Sequence, residues 1–252
     1  MKIGIIGTGK VAHQLAFAIH KLNGHELSFV LGRNKNKAKN IIETTTCTYI
    51  ESYNDIPSTH LIIIAVNDDS IIDVSSQLKE SNTLIAHTSG IKDQSVLKEH
   101  KRRGIIYPLY SFFDTKKASF DEVPFLIESN SLEDCEILFS LAYELSGKAY
   151  KISAEEKKDL HLAAVFANNF ANHLMTRAFD ILDVKSLNKE ILLPIIKQSC
   201  ANWIEGKAKE NQSGPALRND KRTMHKHLEK LNTEEEKAIY KIISESISTY
   251  YS

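Results

Sequence analysis

An excess of charge of either sign is absent from this 252-residue sequence: Lys plus Arg and Asp plus Glu each number 32, for a formal net charge of zero. A neutral chain exerts no general pull on nucleic acid or on an acidic membrane, so neither is expected as a partner and any charged ligand must meet a local patch. Cysteine is scarce as well. Cys47, Cys135 and Cys200 stand far apart with no CxxC or CxxH spacing, which argues against a zinc site and a disulfide framework, so no metal is expected and a reducing cytoplasm is the simplest home. Long apolar runs are missing too. The opening MKIGIIGTGK breaks at Gly7 after about five apolar residues, too short for a signal-peptide core, and no segment approaches the roughly 20 residues of a membrane span.

The length allows one large domain or two smaller ones, and the grammar of the chain changes midway. Short apolar, β-branched runs alternate with amphipathic stretches up to about Ile152, as in a parallel sheet with crossover helices. Candidate strands are KIGII (2–6), LSFVL (27–31), HLIIIAV (60–66), TLIAH (83–87), GIIYPLY (104–110), VPFLI (123–127) and AYKI (149–152). HLIIIAV is apolar on both faces, which predicts a central strand. After Ser153 the pattern turns helical, over roughly 154–183, 187–207, 220–230 and 233–250. Most glycines precede residue 150, where tight strand-helix turns would concentrate. The expected architecture is α/β, with an N-terminal Rossmann dinucleotide-binding domain over 1–152 and an all-α C-terminal domain over 153–252.

Directly after the first strand comes GTGKVA, residues 7–12, a GxGxxA pattern that opens a helix. Gly7 would permit the tight turn, Gly9 would let the backbone approach a pyrophosphate, and Ala12 would allow close helix-strand packing, with Thr8, Lys10 and Val11 completing the cradle. A bare glycine turn is the alternative, disfavoured by the strand before and the helix and strand after. The second strand runs into LGRNKNKAK, where an NAD enzyme would usually carry an acidic residue for the ribose 2′-hydroxyl. Arg33, Asn34 and Lys37, with Gly32 before them and Lys35 among them, suit the 2′-phosphate of NADP(H) instead, a solvated basic turn being the alternative. AVNDDSI (65–71) and HTSG (87–90) follow later strands, at the edge where open α/β sheets bind ligands. Val66 and Asn67 are expected beside the adenosine and ribose, and Thr88, Ser89 and Gly90 toward the nicotinamide. Asp68 and Asp69 read as a helix cap and first-turn charge.

The stretch HLAAVFANNFANH (161–173) mixes amides and imidazoles with apolar residues in a helical pattern. With His161 at zero, an ideal helix puts Lys157 near about −40°, Asn168 near about −20° and Asn172 near about +20°, a single polar stripe. Phe166, Phe170 and Leu174 fall opposite, suited to packing in the helical domain or against a second subunit. A histidine can supply the proton that hydride addition to a carbonyl or imine requires, with Asn168 holding the substrate oxygen. The same groups could instead satisfy loop backbones. Further on, GPALRNDKR (214–222) breaks the helical pattern, and Arg218 could clamp a substrate carboxylate, or pair with Asp220 to pin the loop.

GTGKVA, AVNDDSI, HTSG, YPLYSF (107–112), HLAAVFANN and GPALRND, in that order, resemble the two-domain bacterial proteins that join a Rossmann-like domain to a helical domain of unknown function. The fold of that group is similar to that of pyrroline-5-carboxylate reductase and 6-phosphogluconate dehydrogenase relatives, whose helical domains dimerise. Some members look like an alternative type of ketopantoate reductase. The resemblance implies an NADPH-dependent reductase of a small 2-keto acid, 2-dehydropantoate first, with a homodimer formed through the helical domain. It implies a proton donor at His161 or Lys157, Asn168 on the carbonyl, and Asn172, Arg218, Asp220 and Ser89 at the substrate. Ordinary ketopantoate reductases place a Lys and an Asn on this helix; here His161 stands where the Lys is sought, with Lys157 one turn earlier. An imine reductase of the pyrroline-5-carboxylate type and a non-catalytic NADP-binding sensor are the alternative readings.

Overall fold

The computed structural model describes residues 1–112 and 120–252, which form two compact units, Met1–Val165 and Phe166–Ser252. In the first, eight strands run β1 (Lys2–Ile6), β2 (Glu26–Leu31), β3 (Thr48–Ile50), β4 (Leu61–Ile64), β5 (Leu84–His87), β6 (Arg103–Pro108), β7 (Phe125–Ser129) and β8 (Ala149–Lys151). They lie side by side in the order β3-β2-β1-β4-β5-β6-β7-β8. The chain builds β1, β2 and β3 outward in one direction, then returns to lay β4 on the other side of β1. That reversal opens a crevice at the carboxyl ends of β1 and β4, the place where such sheets take ligands.

Helices α1 (Lys10–Lys21), α2 (Lys35–Thr45), α3 (Ile71–Ser76) and α4 (Leu132–Ser146) cover the sheet. Leu15 and Ile19 of α1, Ile41 of α2 and Leu138 of α4 share one core with Ile3, Ile5, Ile63 and Phe125. Ile71 and Val74 of α3 join Ile62, Ile64 and Ile85 in a second core on the other face. All four residues of β4 are buried, as its two-sided apolar sequence predicts.

Two features depart from the sequence reading. β3 is a three-residue edge strand, TYI, too short to give a period-two signal. β7 pairs antiparallel with β6, whereas the other pairings are parallel. A parallel neighbour needs a long crossover, whereas an antiparallel one can follow a loop return, and the bond from Leu109 N to Pro124 O, 2.8 Å, ties the two ends of that return together. α4 then supplies the crossover to β8.

The first unit closes with α5 (Ala154–Ala164), so the compact units part after Val165, beyond the 152/153 boundary expected from the change of pattern. A capping box starts α5: Ser153 Oγ accepts from Glu156 N at 3.2 Å and Glu156 Oε2 from Ser153 N at 2.8 Å, satisfying two helix-end donors reciprocally. Residues Val165–Phe170 are π-helical. The 100° phase of an α-helix does not run through such a segment, so the alignment that put Asn168 and Asn172 in line with His161 stops at Val165.

The second unit is helical: α6 (Ala171–Asp183), a short 3-10 turn (Lys189–Leu192), α7 (Leu193–Ile204), α8 (Lys221–Lys230) and α9 (Glu234–Tyr250). Asp220 caps α8, its two carboxylate oxygens accepting from Thr223 N at 3.0 Å and Thr223 Oγ at 2.7 Å. Ala216 is the single buried residue of this unit. No described helix is long and apolar enough to cross a membrane.

Candidate active site

The GTGKVA turn fits a dinucleotide in backbone terms. Gly7 has φ +129°, and a Cβ there would lie 2.1 Å from the carbonyl oxygen of Ala65, so only glycine serves. Its N–H bonds Leu31 O at 2.8 Å, and Ala65 N bonds Ile6 O at 2.7 Å, which lock β1, β2 and β4 together at the crevice. Gly9 caps α1 without a side-chain bond, and a Cβ at that position would meet nothing within 4 Å. That open approach to a helix N-terminus suits a pyrophosphate. Lys10 and Val11 form the first turn of α1, and Ala12 is fully buried against the sheet.

At the end of β2, Arg33 and Lys37 are exposed. Asn34 has a structural task that the sequence reading did not give it: its side chain accepts from Lys37 N at 3.2 Å and caps α2. Asn67 takes the cap position before the 3-10 turn Asp68–Ser70 without a side-chain bond, and the two aspartates fall in the first turn as charges at a helix start. Val66 is partly buried at the carboxyl end of β4.

The turn after β5 is built around a buried histidine. Ser89 N donates to His87 Nδ1 at 3.2 Å, and His87 Nε2 lies 3.3 Å from Asp93 O, so the ring is neutral with its proton on Nε2. Burial first of all, with the Lys157 charge adding to it, lowers the His87 pKa to about 4 despite the bond to the Asp93 carbonyl. Ser89 Oγ accepts from Ile91 N at 3.2 Å and Lys92 N at 3.0 Å. Thr88 N bonds Ile64 O at 3.2 Å. The Ser89 hydroxyl therefore shapes this turn.

Sheet register explains what faces the turn. His87 is level with Ile105 of β6, and Ile105 with Glu128 of β7, so these side chains share one face, and Tyr107, two residues on, lies on that face one strand-repeat farther. α5 carries Lys157 and His161 one helical turn apart, about 6 Å, close to the roughly 6.7 Å between alternate strand residues. Lys157 consequently meets the Glu128 row and His161 the Tyr107 row. Tyr107 Oη is 3.0 Å from His161 Nδ1. A Cβ on Gly90 would lie 2.6 Å from His161 Nδ1 and 2.7 Å from Tyr107 Cζ, so the glycine lets the turn lie directly against the pair. Burial, and after it the Asp68 charge, raises the Tyr107 phenol pKa above its ordinary value, which keeps the hydroxyl protonated.

Lys157 is placed differently from what the stripe implied. Its side chain is wholly buried, its ammonium donates to the carbonyl of Lys92, and Glu128 Oε2 stands 3.8 Å away. Burial lowers its pKa, opposed by the charges of Glu128 and Asp93. Of the proposed proton donors, His161 is the one that is only partly buried. The sequence reading gave Tyr107 no site role; it lies mid-way along the candidate strand GIIYPLY, and only the end of β6 at Pro108 puts it near the sheet's carboxyl edge.

Asn168, Asn172, Arg218 and Asp220 belong to the second unit. Asn172 and Arg218 are exposed, while Asp220 is committed to the α8 cap, its carboxyl held below the usual range chiefly by the Thr223 hydroxyl and N–H. Among the described residues, no group of three or more His, Cys, Asp or Glu side chains is placed to hold a metal.

Residues 2–89 match the family model described as NADP oxidoreductase, coenzyme F420-dependent, and residues 123–247 match a domain of unknown function, DUF2520. The chain thus joins an NADP oxidoreductase domain to a DUF2520 domain. A Bacteroides fragilis protein provisionally assigned as an NADP oxidoreductase is 29% identical over 98% of both chains, with a TM-score of 0.88. This two-domain oxidoreductase is also similar in fold to an imine reductase from Myxococcus stipitatus solved with NADP+, at 14% identity, TM-score 0.68, over 100% and 93% of the two chains. The 1-pyrroline-5-carboxylate reductase of Streptococcus pyogenes aligns over 99% and 98%, at 20% identity and TM-score 0.61. No curated protein matches. The chain is thus a Rossmann-type, NADP-dependent oxidoreductase.

Proposed function

We propose that this oxidoreductase reduces a small 2-keto acid with NADPH, with 2-dehydropantoate as the leading substrate and (R)-pantoate as its product. The observation that carries the reading is the Tyr107–His161 pair packed on Gly90, in the turn where a nicotinamide is expected. NADPH would supply a hydride to the carbonyl carbon. The residues of this chain do the rest. His161, carrying a proton on both ring nitrogens, delivers the Nε2 proton that the carbonyl oxygen needs as it gains negative charge, and Tyr107 Oη accepts from Nδ1–H before the transfer and holds the ring oriented. The products balance as a 2-hydroxy acid and NADP+. Gly7, Thr8, Gly9, Lys10 and Val11 cradle the pyrophosphate, Val66 and Asn67 line the ribose side, and Thr88 and Ser89 support the nicotinamide end. Arg33 and Lys37 serve the 2′-phosphate, where no carboxylate follows β2.

On the second unit, Asn168 and Asn172 are candidates for the substrate oxygen and Arg218 for the carboxylate. The α8 capping bonds favour a structural role for Asp220. Cyclic imines such as 1-pyrroline-5-carboxylate are the second substrate class, favoured by the end-to-end fold likeness to a reductase of that compound. The test is to follow NADPH absorbance with ketopantoate, other 2-keto acids and cyclic imines. Consumption with ketopantoate supports the first reading, and consumption with the imine alone replaces it with the second. No consumption with any of them, in a protein that still binds NADPH, overturns both and leaves the cofactor-binding sensor.

A further inference from the structure

A fully buried lysine one turn from a candidate proton donor needs an explanation of its own. The turn Thr88–Asp93 is held from within by the His87 ring and the Ser89 hydroxyl. From outside, α5 reaches it through the Lys157 ammonium, which donates to the carbonyl of Lys92. Glu128 sets the charge of the position. Its Oε2 is buried without a hydrogen-bond partner, and at 3.8 Å it forms an ion pair with Lys157 Nζ, so each charge makes burial of the other tolerable. Three carboxylates act on Lys157, Glu128 from β7, Asp93 from the turn and Asp68, and the like charge of Lys158 opposes them.

We infer that Lys157 is a positioning residue, whose buried ammonium ties the Lys92 carbonyl to α5 and so fixes Gly90 against Tyr107 and His161. The turn then presents its backbone to the nicotinamide in one arrangement, and the donor pair and the cofactor end are set relative to each other by one strut. This inference rests on the proposed reading of the Thr88–Gly90 turn as the nicotinamide end. It removes Lys157 from the list of proton donors, because an ammonium with no exposed surface and a backbone acceptor already bound does not reach substrate.

Because Lys157→Met alone leaves Glu128 without its counter-charge and can prevent folding, the main variant combines Lys157→Met with Glu128→Gln, and Lys157→Arg is the conservative partner. Backbone amide exchange over residues 88–94 and NADPH binding by nicotinamide fluorescence are measured in each, beside kcat, KM and the pH profile on the best substrate found. The expected result is amide exchange faster by about tenfold and NADPH affinity weaker by a similar factor in the double variant, as the loss of one charge-assisted hydrogen bond brings. Lys157→Arg should restore slow exchange, and kcat of the double variant should keep the pH inflection of the wild type. Unchanged exchange and NADPH binding, with loss of the inflection in kcat, would overturn the inference and make Lys157 the proton donor. If the wild type turns over none of the substrates, the proposed reaction fails while the exchange arm still decides whether the strut exists.

Discussion

His161→Gln keeps a hydrogen-bonding side chain at the Tyr107 row but removes a group able to give up a proton. A fall in kcat of about 10²–10⁴-fold is expected, the usual worth of a positioned general acid, with NADPH affinity unchanged by fluorescence titration. Tyr107→Phe leaves the imidazole and removes its 3.0 Å partner, so a smaller loss of about tenfold is expected. His87 makes a separate statement, about stability. Its folded pKa of about 4 lies below its ordinary 6.5, so the unfolded chain takes up the proton first. Stability from this group is full above pH 6.5 and is lost as pH falls toward 4, by on the order of 3 kcal/mol. Denaturant midpoints between pH 7 and pH 4 check this, and His87→Gln should flatten the loss. Of these residues, His161 was singled out in the sequence by helical spacing. Tyr107 was not, because its contact lies 54 residues away and only the register of β5, β6 and β7 brings it there.

The start of α8 separates two readings of GPALRND. Asp220→Ala removes both bonds to Thr223 and should destabilise the fold as loss of a helix N-cap does, seen as a lower unfolding midpoint with KM for substrate unchanged. A rise in KM without loss of stability would return Asp220 to the substrate. At the other end of the chain, Gly7→Ala adds a methyl group 2.1 Å from Ala65 O at a positive φ. Loss of NADPH binding is expected, together with a lower thermal midpoint. Most strands and helices could be read directly from period and punctuation. What could not be read was the π-helical turn at Val165–Phe170, which carries no residue signature in VFANNF. The reversed pairing of β6 and β7 was hidden too, because strand direction depends on the return between strands and not on the strands' own residues.

For the whole molecule, the second unit poses the main physical question. Its helices contain no buried residue, the one in the unit being Ala216 in the turn before α8, while Phe166, Phe170, Leu174, Trp203 and Ile204 are exposed. A helical unit with so little core of its own gains from covering that surface, and we propose a homodimer through it. Sedimentation equilibrium should give twice the 28.4 kDa chain mass, and Phe170→Asp should shift it toward the monomer. The two halves were read from the change of pattern near Ser153, whereas the choice of substrate depends on cleft shape that no periodicity encodes. The most direct test of the central claim is NADPH consumption with 2-dehydropantoate, run side by side on the wild type and His161→Gln. Steady oxidation by the wild type, reduced at least about a hundredfold in the variant, is the expected result. Equal rates in the two proteins would contradict the role given to His161, and no consumption by a wild type that binds NADPH would contradict the reaction itself.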